Sequence, residues 1–323
     1  MERLTNFQEQ DAITEVLKSV SFNSVLFFQS KLQAPWAFGI AGRDMTSFHI
    51  VTRGRCWLRA GSDANAVKLV SGDLVILTHG DEHFIGDDPK TSPTGLDLLE
   101  AKQLVDKTSA FRSGRKGAIT ELVCGCFLFG DAKLNPLLSA LPSVIHIKGD
   151  GGRAVPWLQT TLELIANEAK TNRPGAESVI TRLSDILFVQ AVRTFFTTKE
   201  GQRMGWLRAL KDPGVGRAMN LIHRQAEIPW TVQSLGARVG MSRSLFADRF
   251  RSLVGESPLH YLARWRLNRA AIMLKTTSAK LAVVAERVGY ESEFAFSRAF
   301  KRATGVSPSV FRKSAKEISD VRQ

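Results

Sequence analysis

The sequence predicts an α+β chain of two unlike parts, an N-terminal β jelly roll carrying helices and a C-terminal all-α domain. Three observations lead there. Up to residue 147 the apolar residues fall in short runs rich in β-branched and aromatic side chains, bounded by Gly and Pro, at the spacing of a small barrel or double-sheet jelly roll. From Trp157 onward the apolar period is helical. The last third repeats itself: Val232, Leu235 and Gly240 return as Leu281, Val284 and Gly289 at an offset of 49, and Phe246, Phe250, Gly255 and Ser257-Pro258 return as Phe296, Phe300, Gly305 and Ser307-Pro308 at an offset of 50. A repeat of this period is one structural unit used twice, with one residue inserted in its turn.

Composition narrows the function classes. The 323 residues suit two domains. Residues 205–323 carry 21 Lys and Arg against 9 Asp and Glu, and residues 1–204 carry 23 against 22, so +12 of the +13 net charge lies on the repeated region. A basic domain beside a neutral one indicates a polyanion-binding module joined to a part with another task. Cys56, Cys124 and Cys126 are too few and too odd for a disulfide framework. Cys124 and Cys126, two apart on one strand face, would form only a strained bond, so a redox role would need Cys56 or a partner molecule. No apolar run reaches membrane-spanning length and the N-terminus lacks a signal-peptide layout, so the expected setting is cytoplasmic, away from membranes.

The elements follow in order. Ile13, Val16, Leu17 and Val20 mark an amphipathic helix over 8–20, and strands are expected over 24–28, 36–40, 47–51, 56–60, 67–70, 74–77, 84–85, 120–129 and 144–147. The charged stretch 87–117 reads as a mobile surface loop. Helices follow over 157–170 and 176–197, broken by Arg173-Pro174-Gly175. The apolar face of 176–197 is wider than one sheet requires, so part of it is expected to be a homodimer seam. The polar, glycine-containing 198–211 reads as a linker between a 1–197 domain and a 212–313 domain, with 314–323 as a flexible tail.

In each repeat the punctuation is that of a helix-turn-helix. Thr231 caps a first helix with Val232, Leu235 and Val239 inward, Gly240 turns, and Ser242 caps a second helix from Arg243 to Val254. The second copy uses Leu281, Val284, Ala285 and Val288, then Gly289 and Ser292. A long helix from Pro258 to about Leu274 should join the two units rigidly.

Two resemblances add to this reading. His49 on a strand, Gly72-Asp73 before Leu74-Val75-Ile76-Leu77, and His79-Gly80-Asp81-Glu82-His83 resemble the cupin jelly roll over roughly residues 20–130. The run Ala285-Glu286-Arg287-Val288-Gly289-Tyr290-Glu291-Ser292, with Phe296-Ser297-Arg298-Ala299-Phe300-Lys301, Gly305-Val306-Ser307-Pro308 and Phe311-Arg312, is similar to the signature of AraC/XylS-type transcription regulators. One branch of that family resembles this chain also in Cys124-Gly125 and in Asn135-Pro136-Leu137-Leu138 with Leu141-Pro142. The resemblance implies a transcription factor, an activator, responding to a small molecule or metal, with double-stranded DNA and RNA polymerase as partners and no required cofactor. A cupin metalloenzyme with an accessory DNA-binding domain is the alternative. Against it, no His-x-His pair stands near His49 and no Glu follows at the usual short interval.

Helical position nominates the readers. Ser244, Ala247 and Asp248 in the first helix and Phe294, Ala295 and Arg298 in the second are expected at base edges, with Arg298 suited to a bidentate guanine contact. Arg243, Arg251, Lys301 and Arg302 are expected on phosphates, and Asp248 is expected to pair with a neighbouring Arg in preference to a cytosine amine. In the N-terminal domain His79, His83 and Cys124, with His49 as a fourth donor, are the residues whose types suit Zn or a similar divalent ion. The bland alternative is that they are hydrogen-bonded residues at the mouth of a barrel.

Overall fold

The computed structural model describes residues 17, 22–42, 45–61, 65–95, 111–113, 117–129, 134–171 and 173–320. The helix expected over 8–20 lies outside the described residues apart from Leu17. The chain divides into two compact units, one of Phe22–Phe129 with Leu141–Thr198, the other including Gly130–Ala140 and Lys199–Gln323.

The first unit is two sheets and two helices. One sheet has the order β11-β6-β3-β10-β1-β9 and the other β5-β4-β7-β2-β8. The strands are β1 (Phe22–Gln33), β2 (Ala37–Ile40), β3 (Thr46–Arg53), β4 (Arg55–Ala60), β5 (Val67–Val70), β6 (Leu74–Leu77), β7 (His83–Gly86), β8 (Thr94–Gly95), β9 (Phe111–Ser113), β10 (Ile119–Phe129) and β11 (Val144–Ile147). All nine expected strands form. The stretch read as a loop over 87–117 also holds β8, parallel to β2, and β9, parallel to β1. Such two- and three-residue strands have no period of their own, and tertiary pairing alone creates them.

From Thr46 to Val51 both faces of β3 are buried. One face belongs to the core with Val51, Cys56, Leu58, Leu69, Val75, Leu77, Ile85, Leu122 and Cys124. The other lies towards α3 (Ala176–Thr197), on which α2 (Pro156–Thr171) packs: Phe48 packs on Phe127 at 5.0 Å between ring centroids, and Phe127 on Phe188 of α3 at 5.5 Å. Each fully buried side chain of this size is worth about 1.5–3 kcal/mol. The Gly72-Asp73 pair is a structural corner. Gly72 has φ 93°, and a Cβ there would lie 2.4 Å from the Arg153 carbonyl. Asp73 accepts from the Val70 and Gly149 amides at 3.1 and 2.8 Å and faces His146 Nε2 at 3.1 Å.

The second unit is helical. It comprises α1 (Pro136–Ala140), α4 (Lys199–Arg203), α5 (Gly205–Lys211), α6 (Val215–Arg224), α7 (Val232–Arg238), α8 (Arg243–Val254), α9 (Pro258–Thr276), α10 (Leu281–Arg287), α11 (Glu293–Thr304) and α12 (Pro308–Asp320). Two boundaries are corrected. The supposed linker 198–211 is mostly helix, because Trp206, Leu207 and Ala209 bury and Trp206 Nε1 donates to Tyr261 Oη at 3.3 Å. The supposed tail continues α12 to Asp320. The segment Gly130–Ala140, inside the stretch read as sensor, groups with this unit: Leu134 is buried among Leu267, Ala270, Leu274 and Phe300, and Arg264 of α9 donates to Ser139.

Candidate nucleic-acid interface

Each reader is built by local chemistry. Thr231 accepts from the Ser234 amide while Ser234 accepts from the Thr231 amide, a reciprocal cap on α7. Gly240 and Gly289 turn at φ 74° and 85°. Ser242 accepts from the Leu245 amide at 3.3 Å and Ser292 from the Ala295 amide at 3.1 Å, starting α8 and α11. Both helices stop on left-handed glycines, Gly255 and Gly305. Buried Phe246 and Phe250, and buried Phe296 and Phe300, hold one face of each helix down.

The opposite face is what each helix presents outward. In α8, Arg243, Ser244, Asp248 and Arg251 are exposed and Ala247 is half-buried. In α11, Phe294, Ala295, Arg298, Lys301 and Arg302 are exposed. The structure thus brings each set together on its own helix. Asp248 does not take the arginine partner expected for it: no ion pair to Asp248 occurs among the described residues, and its neighbour Arg249 turns instead onto Asp212, 2.6 Å away. Asp212 is fixed there by accepting from the Gly214 and Val215 amides at the start of α6.

Sequence reading missed what sets the spacing of the two readers. Arg266 of α9 donates to the carbonyls of Ala226 at 2.7 Å and Ile228 at 2.8 Å, ahead of the first reader. Its guanidinium also lies against the Gly289 turn of the second, where an added Cβ would meet Nη2 at 2.8 Å. An arginine within a long amphipathic helix carries no local sign of such a role. Leu245, 53% exposed on α8, was also missed, although it is an apolar residue at the position of Ala295 in the repeat.

Beneath the first reader lies a buried polar chain. Trp206 donates to Tyr261 Oη at 3.3 Å, and the same hydroxyl is hydrogen-bonded to His223 Nε2 at 2.7 Å. The other ring nitrogen of His223, Nδ1, has no partner among the described residues. Burial pushes His223 down to about 3.

In the jelly roll, the expected metal donors are not gathered. His79 is exposed. His49 and Cys124 are register partners on β3 and β10, and His83 comes from β7 of the facing sheet. His49 stands between the other two: its Nδ1 is 3.1 Å from Cys124 Sγ and its Nε2 is 2.9 Å from His83 Nε2. Thiol and second imidazole thus address opposite sides of one ring, so one ion cannot reach both at bonding distance. No group of three His, Cys, Asp or Glu side chains suited to a metal occurs among the described residues. The array closes as a neutral chain instead. His83 Nδ1 donates to the Asp81 carbonyl at 3.0 Å, leaving its Nε2 to accept from His49, whose Nδ1 then accepts the Cys124 thiol proton. Burial, then the neighbouring His83, holds His49 far below its ordinary value, and burial likewise lowers His83. Burial raises the Cys124 thiol, and pushes Cys56 up to about 12. In the same core, the buried Trp36 Nε1–H has no acceptor among the described residues.

Two capped helices of one repeat, each with an exposed basic face and fixed spacing, define a DNA-binding transcription regulator. The comparisons agree. A cupin family matches residues 11–197 and a helix-turn-helix domain family matches residues 235–314. The chain is 33% identical over 307 residues to the HTH-type transcriptional regulator AlkR of Acinetobacter baylyi, covering 94% of this chain and 100% of that one. It is 33% identical to a putative AraC-like transcription regulator of Streptomyces lividans, covering 94% and 98%. Among solved structures it is similar to the DNA-binding domain of AdpA in complex with a target DNA, at 34% identity, 33% of this chain, 95% of that chain and a TM-score of 0.31. The chain belongs to the AraC-type transcriptional regulators that carry an N-terminal cupin domain. No helix among the described residues is long and apolar enough to cross a membrane.

Proposed function

We propose that α8 and α11 read adjacent major-groove segments on one side of duplex DNA, under control of an effector held by the cupin domain, and that α11 selects most of the bases. The observation that carries this is the contrast at the positions expected at base edges, Ser244, the half-buried Ala247 and Asp248 on α8 against the exposed Phe294, Ala295 and Arg298 on α11. Long guanidinium donors suit guanine edges, whereas short side chains reach less far. A gel shift on DNA upstream of the gene and its neighbours, across salt concentrations, tests it. Arg298→Ala should cost about 1–3 kcal/mol and relax specificity at one base pair. An unchanged footprint would show that the reading face is elsewhere.

The effector is a small molecule with a hydrogen-bond acceptor in this reading, not a divalent ion. The unpartnered Trp36 Nε1–H supports the acceptor, and the self-satisfied His83–His49–Cys124 chain supports the absence of a zinc site. Elemental analysis of protein purified without a His-tag should find zinc well below one per chain; stoichiometric zinc would overturn the reading. Regulation in place of cupin enzymology is supported by the names of the full-length relatives. A homodimer through α3 is supported by Val179 and Ile186, 44% and 49% exposed two turns apart on one stripe.

A further inference from the structure

Phe294 is 72% exposed, on the second residue of α11. An aromatic ring left in water at this level marks a contact surface when its surroundings are organised to receive a partner. Here they are. The Arg298 guanidinium lies over the Phe294 ring, 5.6 Å from its centroid. The two side chains line an open groove of about 670 Å³ with Ala295, Ala299, Lys301 and Arg302. The groove is cationic and flanked by methyl groups, with no carboxylate in its lining.

Base-edge chemistry says what suits such a pair. A ring at the N-terminal end of a reading helix cannot accept or donate a conventional hydrogen bond, and in the major groove the one apolar feature is the C5-methyl of thymine. Arginine addresses guanine O6 and N7. With the guanidinium held 5.6 Å from the ring, the two targets must be close, because stacked base pairs are about 3.4 Å apart per step.

We infer that Phe294 is a specificity residue that packs on the C5-methyl of a thymine neighbouring the guanine bound by Arg298. The inference rests on the proposed reading by α11 and adds to it the chemical group being read. The equivalent residue of α8 is Ser244, so thymine-methyl selection by a ring belongs to the second reader alone.

The test uses the full chain. Duplexes recovered from a randomised pool give the preferred site, and Arg298→Ala identifies the guanine it reads. Each thymine of that site is then replaced singly by deoxyuridine, which removes only the methyl. At the thymine neighbouring that guanine, the replacement should weaken binding about fourfold, the worth of one buried methyl. Phe294→Ala should bind the thymine and deoxyuridine duplexes equally, and Phe294→Leu should keep the preference. Since Phe294 is exposed, neither change threatens folding. The inference fails if no thymine neighbours that guanine, if deoxyuridine there is neutral, or if Phe294→Ala still prefers thymine. A pool yielding no preferred site at any salt would defeat the underlying reading as well, and so separates the two failures.

Discussion

Gly240 and Gly289 occupy the same turn in the two readers, yet alanine should not cost the same at both. Their φ values, 74° and 85°, lie in the left-handed region, where a Cβ costs about 1–2 kcal/mol. At Gly240 nothing lies within 4 Å of an added Cβ, so that penalty is the whole cost. At Gly289 the Cβ would fall 2.8 Å from both Arg266 Nη2 and the Glu227 carbonyl oxygen. To make room, the guanidinium must leave the Ala226 and Ile228 carbonyls or the 226–228 backbone must shift. A hydrogen bond from a charged donor is worth about 1.5–3 kcal/mol, and half-burial places these at the low end. Gly289→Ala should therefore cost about 3 kcal/mol where Gly240→Ala costs about 1 kcal/mol. Urea denaturation of the full chain, followed by circular dichroism through the transition of the helical unit, reads the difference. Arg266→Ala combined with Gly289→Ala should cost less than the two single changes together, because both disturb the same contact. Equal costs at the two glycines, or strict additivity of the pair, would refute the clamp.

Three further outcomes follow from the same geometry. The unfolded chain protonates His223 near 6.5 while the folded chain resists to about 3, so its stabilisation is complete above pH 6.5 and is lost as the pH falls towards 3. The loss should reach roughly 4–5 kcal/mol, and His223→Gln should flatten the acid limb of stability against pH; an unchanged limb would refute it. Removing Lys301 or Arg302 should lower the slope of log K against log salt by about one each, with affinity falling alike on all sequences. Asp248→Asn should tighten non-specific binding, since an exposed carboxylate without an ion pair repels phosphate; weaker binding to every duplex would show Asp248 held in a partner interaction.

The helical readers were largely legible because their signals are local. Ser242 and Ser292 cap within three residues, Gly255 and Gly305 stop the helices, and Phe pairs at i and i+4 fix the buried face whatever the rest of the chain does. The Gly72-Asp73 corner was visible for the same reason. What was misread depends on contacts between residues distant in sequence. Trp206 turned an apparent linker into packed helix by meeting Tyr261, fifty-five positions away. His79 and His83, close along the chain, separate because one stays in a turn while the other begins β7 and faces inward.

By itself, then, the sequence determined the two-part architecture, the duplicated reader and the sign of its charge, since periodicity, caps and composition act over a few residues. Only the tertiary structure decided which polar side chains meet. His49 becomes the centre of the buried array because strand register sets it opposite Cys124 and sheet packing brings His83 to its other nitrogen. Arg266 becomes a clamp because α9 carries it to carbonyls nearly forty residues earlier in the chain. Both outcomes follow from long-range packing, which no short window of sequence encodes.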